Sequence, residues 1–121
     1  MTGRRRLLAA LLLAAARVAR AAPDEIEQAR IERLLHYVET RKDLVFVRNG
    51  KDHSARDAAL FLRAKYAKMG EHVTTAVQFI DQIASRSSTT GEVYKVRLAD
   101  GRVLPAAKVL RDELARMDRA R

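Results

Sequence analysis

The chain reads as an α+β domain, mostly helical, in which about four helices pack with a small antiparallel sheet of about three short strands. Three observations point there. Four segments carry apolar residues at three- and four-residue spacing. Short β-branched or alternating runs stand between them. The dipeptides Asn49-Gly50 and Asp100-Gly101 punctuate those runs as turns, because both residue types accept positive φ at low cost.

The first helix spans about 24–41, with Ile31, Leu34, Leu35 and Val38 on one face and Asp24, Glu25 and Glu27 in the first turn, where negative charge suits the helix dipole. Leu44-Val45-Phe46-Val47 is a short strand, and Arg48 to Asp52 breaks the pattern. Ser54 with Asp57 makes a capping-box start for a helix that runs to about Met69 and stops near Gly70. Its buried stripe is expected at Ala55, Ala59, Leu62, Tyr66 and Met69. Thr74 or Thr75 caps a further helix to about Ser85, with Ala76, Phe79, Ile80 and Ile83 inward.

A polar loop, Arg86 to Gly91, leads to a strand in which Tyr94, Val96 and Leu98 share one face. The Asp100-Gly101 turn returns the chain through Arg102 to Leu104. Pro105 is placed just inside the last helix, which presents Ala107, Leu110, Leu114 and Met117.

Residues 1–21 have the three-part layout of a secretory signal peptide: Arg4 to Arg6, a Leu/Ala run from Leu7 to Ala16, and Ala19-Arg20-Ala21 before the cleavage point. The ten-residue apolar run is half of the roughly 20 that a membrane-spanning helix needs. The expectation is an exported, periplasmic protein: a single domain of residues 22–121, with no stable membrane anchor after cleavage. Five of the 24 basic residues fall in that leader, leaving 19 against 15 acidic, a net +4. Such an interspersed surface is an ordinary soluble one, and nucleic acid is not an expected partner. There is no cysteine, so no disulfide supports the fold.

No metal or other cofactor is expected. His36, His53 and His72 lie 17 and 19 residues apart with no ligand spacing around them. No serine sits in a nucleophile elbow, and Asp112-Glu113, being adjacent, face different directions on a helix. No catalytic residue is assigned. Arg86 to Gly91 and Arg48-Asn49-Gly50 are turn chemistry first and binding loops second. Arg48, on the inward side of its strand, is expected to bond backbone carbonyls or a carboxylate and lock the two loops together.

Val45-Phe46-Val47-Arg48-Asn49-Gly50, His53-Ser54, Ala58-Ala59, Leu62-Arg63, Thr75-Ala76, Gln78-Phe79-Ile80, Ile83-Ala84-Ser85, Ser87-Ser88, Gly91 and Tyr94 together resemble the centre of the YfeK-like bacterial proteins. The likeness covers roughly 31–98. It implies a small exported protein with a domain of unknown function and supplies no active site. Val77 stands where that family's helix carries a glutamate.

The leading expectation is therefore a periplasmic, non-enzymatic binding or interaction module, with an unidentified periplasmic protein or envelope ligand as partner. Its contact surface is expected at Arg48, Asn49, His53, Ser87, Ser88 and Tyr94, on loops held by a rigid scaffold. The alternative is a small cell-envelope hydrolase or transferase using His53 with Ser87 or Ser88, which requires those side chains within hydrogen-bond reach. A third possibility is weak association of the basic surface with anionic envelope components, which salt would reverse.

Overall fold

The computed structural model describes residues 22–120, so the expected signal peptide lies outside the described residues. In chain order the elements are α1 (Glu25–Thr40), β1 (Val45–Arg48), β2 (Lys51–His53), α2 (Ala55–Met69), α3 (Ala76–Gln82), β3 (Lys95–Arg97), β4 (Val103–Pro105) and α4 (Ala106–Arg119). The strands form one antiparallel sheet in the order β2-β1-β3-β4. The class is α+β as expected, with four strands rather than about three. The extra strand is β2, which pairs Arg48 with Lys51 and Phe46 with His53 across the Asn49-Gly50 turn. Asn49 and Gly50 both have positive φ, 52° and 75°, the geometry that matches a two-residue hairpin to strand twist.

Local signals place the helix starts. The side chains of Asp24, Ser54 and Thr75 accept from the backbone N–H of Glu27, Asp57 and Gln78, each satisfying one otherwise unpaired donor of the first turn. Glu27 adds a tertiary cap, accepting from the Ala76 N–H at 2.9 Å, so that α1 holds the start of α3. α2 stops at Gly70, whose φ is −88°. The glycine is needed for space rather than for left-handed backbone: a Cβ there would lie 2.3 Å from the Tyr66 ring.

Two boundaries and one buried stripe differ from the sequence expectation. α3 ends at Gln82, not near Ser85. Beyond it the Ser85 hydroxyl folds back onto the Ile80 carbonyl, the Tyr94 N–H takes the Ser85 carbonyl, and Arg86 bridges Val93, so the chain is already leaving for the sheet. Pro105 closes β4 and N-caps α4 instead of standing inside it. The buried stripe of α2 is Ala55, Ala58, Ala59, Leu62 and Lys65, and Met69, the last residue of the helix, is exposed.

The main core joins α1, α2, α3 and α4 through Leu34, Val38, Ala59, Leu62, Phe79, Ile80, Ile83 and Leu110. Phe79 is 1 % exposed and meets Tyr66 edge-on with ring centres 5.2 Å apart, so it is a core residue as its helix face required. A smaller cluster of Leu44, Tyr94, Val96 and Ala106 lies against the sheet. Phe46 and Phe61 pack against both clusters.

Candidate functional site

The β1–β2 hairpin, α2 and the chain from Arg86 to Tyr94 converge at one place. An open groove there is lined by Arg48, Phe61, Lys65, Lys68, Met69, Ser87, Ser88, Thr89 and Tyr94, among others. The expectation that the two loops meet is thus correct, but Asn49 rather than Arg48 joins them. Its Nδ2 lies 3.4 Å from the Ser87 Oγ, and its Oδ1 accepts from the Thr90 hydroxyl at 2.6 Å.

Arg48 departs from its expected role. Among the described residues its side chain makes no ion pair and no hydrogen bond; its guanidinium carbon lies 3.9 Å from the centre of the Phe61 ring. Strand alternation does carry the side chain inward. The aromatic face of α2 satisfies it there by cation–π stacking, without carbonyls or a carboxylate. Its hydrogen-bonding fork is left unused by the fold.

Lys65 is the residue that sequence reading missed. It is only 7 % exposed on the inward stripe of α2. Its Nζ donates to the Arg86 carbonyl oxygen at 2.7 Å and to the Tyr94 hydroxyl at 3.0 Å. An ammonium has three donors, so one is left over. Burial first, and the Arg48 charge second, hold the Lys65 ammonium below its ordinary value. Burial pushes the Tyr94 phenol up.

The hydroxyls divide into a structural and an open set. Ser87 is 6 % exposed; its Oγ accepts from the Thr89 and Thr90 N–H groups and contacts the Thr89 hydroxyl, so it shapes the loop. Ser88 is exposed, its Oγ 3.5 Å from the Met69 sulfur. Tyr94 is buried, edge-on to Phe61 with ring centres 5.9 Å apart.

His53 does not join this groove. It sits on β2 opposite Phe46, with Nε2 buried and unbonded. Neither Ser87 nor Ser88 bonds to it; both hydroxyls have the other partners named above. The serine–histidine pair that the hydrolase alternative requires is not formed. His53 lines instead a smaller, mainly apolar cavity of about 40 Å³, together with Val38, Phe46, Ala58, Leu62 and Leu110. Arg48, Phe61 and Tyr94 line both spaces and form the partition between them.

The groove is cationic. Arg48, Lys65 and Lys68 line it, and no carboxylate does. Among the described residues no cluster of His, Asp and Glu could hold a metal ion, and no helix is long and apolar enough to cross a membrane.

A model of a family of unknown function, DUF5329, matches residues 25–118. The chain is also 46 % identical over 68 residues to the uncharacterized protein YfeK of Salmonella typhimurium, a stretch covering 56 % of this chain. That stretch covers 57 % of the relative, less than two thirds of its length. The YfeK-like resemblance seen in the sequence is therefore borne out. No solved structure matches the chain.

Proposed function

The chain belongs to the DUF5329 family of unknown function, and on that premise we propose that it is an exported, periplasmic binding module that holds the anionic group of its ligand in the Arg48–Lys65 groove. One observation carries this reading. Two cations, one of them buried, face the same groove and feel each other's charge, with no carboxylate between them. Burying a charge without a counter-ion is costly. A ligand carboxylate or phosphate would supply the counter-charge, taking the open fork of Arg48 and the third donor of Lys65. The Ser88 and Thr89 hydroxyls line the same groove and add donors for its oxygens.

The role proposed is binding rather than catalysis, since His53 and the serines stand apart. The periplasmic address rests on the layout of residues 1–21: N-terminal sequencing of protein recovered from the periplasm should begin at Ala22, and an intact N-terminus in the membrane pellet would contradict it. The binding reading is tested by isothermal titration with acetate and with inorganic phosphate at low ionic strength. Wild-type protein should bind at least one of them, and Arg48→Gln should weaken that binding several-fold. Absence of binding to both would refute it.

A further inference from the structure

The cavity of about 40 Å³ behind the groove differs from an ordinary packing void in the composition of its wall. At about 30 Å³ for each water in the liquid, it has room for one water or one to two carbons. Protein interiors are packed to crystal density and their buried polar atoms are paired. This cavity has instead an unpaired His53 Nε2 in a wall that is otherwise mainly apolar, from Val38 on α1 to Leu110 on α4.

Its position relative to the cations is the second observation. The partition consists of three side chains only: Arg48 stacked on Phe61, and Phe61 edge-on to Tyr94. Phe61 and Arg48 are both half-buried, on the groove side of the core. A swing of the Phe61 ring would therefore join a cationic groove to a small apolar pocket of one to two carbons, with the charged end at Arg48 and Lys65 and the apolar end toward Leu62 and Leu110.

We infer that the ligand is a short-chain aliphatic carboxylate, its carboxylate held by Arg48 and Lys65 and its tail passing Phe61 into this cavity. The inference rests on the anion-binding reading above and specifies its ligand. The planar fork of Arg48 matches the two oxygens of a carboxylate. The cavity volume of about 40 Å³ limits the buried part of the tail to about one or two carbons, which points to acids of the size of propionate.

The test is a titration of the whole protein with acetate, propionate, butyrate and valerate, with methyl, ethyl and propyl phosphate as a second series. Affinity should rise up to about fourfold from acetate to propionate, the increment for burying one methylene, and level off by valerate. Ala58→Leu, which puts a larger side chain into the cavity wall, should abolish that rise and leave acetate binding unchanged. Circular dichroism establishes that the variant folds; if it does not, the wild-type series decides alone. Acetate binding with no chain-length gain would overturn this inference and leave the groove reading intact. A gain confined to the alkyl phosphates would overturn the choice of carboxylate. No binding by any member of either series would overturn the groove reading as well.

Discussion

The buried Lys65 ammonium donates to the Tyr94 hydroxyl at 3.0 Å, and its other acceptor is the Arg86 carbonyl at 2.7 Å. One side chain of α2 thus holds both ends of the loop that leads into β3. Lys65→Met keeps the length and removes the donor, leaving a part-buried carbonyl and a buried phenol without this partner. An unfolding midpoint in urea lowered by the equivalent of about 1–3 kcal/mol is expected. Tyr94→Phe removes only one of the two acceptors and should cost less.

The same lysine makes stability depend on alkaline pH. Its folded-state value lies below the 10.5 of the unfolded chain, through burial first and Arg48 second. The folded protein thus releases this proton before the unfolded chain does. The group's contribution is fully present above 10.5 and is lost as pH falls through the folded value, so stability rises with pH in that window. The Tyr94 phenol, raised above its ordinary 10.0, works in the opposite sense at higher pH. Comparing wild type with Lys65→Met between about pH 8 and 10 isolates the lysine: the wild type should gain stability relative to the variant as pH rises. A constant difference would mean that the ammonium is solvated.

Arg48 should behave in the opposite way to a structural arginine. The attractive contact of its side chain is the Phe61 face, worth about 0.5–1 kcal/mol at a partly exposed site. Arg48→Lys and Arg48→Ala should each lower stability by no more than about 1 kcal/mol in thermal or urea unfolding, while anion binding falls. A loss of several kcal/mol would show that it bears on the fold.

Asn49 separates backbone from side chain. With φ at 52° and two side-chain contacts to the Ser87–Thr90 loop, it serves both the hairpin and the groove. Asn49→Gly keeps the turn and loses the contacts; Asn49→Ala loses both. Asn49→Ala should cost about 1–2 kcal/mol, with Asn49→Gly in between, measured by urea unfolding. Equal losses would assign the whole effect to one of the two roles.

The parts of the fold readable from sequence are those set by short-range chemistry. Ser54, Thr75 and Asn49-Gly50 act within three residues of themselves, and the apolar face of α1 follows from its own spacing. β2 was hidden because Lys51-Asp52-His53 has no apolar alternation: it is an edge strand formed through the hairpin register alone. Lys65 was hidden because a lysine on an amphipathic helix reads as solvent-facing, and its acceptors lie 21 and 29 residues away. The stripe of α2 is rotated to include it, while Met69, one turn further on the same face, is exposed because it ends the helix. For Arg48 the inward direction was legible from alternation. The ring beneath it was not, since Phe61 lies on another element. The candidate site was therefore half visible: its loops could be read, and its buried cation could not.

The most direct test of the account follows the Lys65 side chain itself by NMR, titrating its ζ-nitrogen or ε-carbon signal with pH. An anion held against the ammonium favours its charged form. In the presence of saturating acetate or butyrate the Lys65 value should rise from its depressed position toward the ordinary 10.5, and chloride at matched ionic strength should leave it where it was. A Lys65 titration identical in carboxylate and chloride would contradict the central claim that this lysine and Arg48 form an anion-binding site.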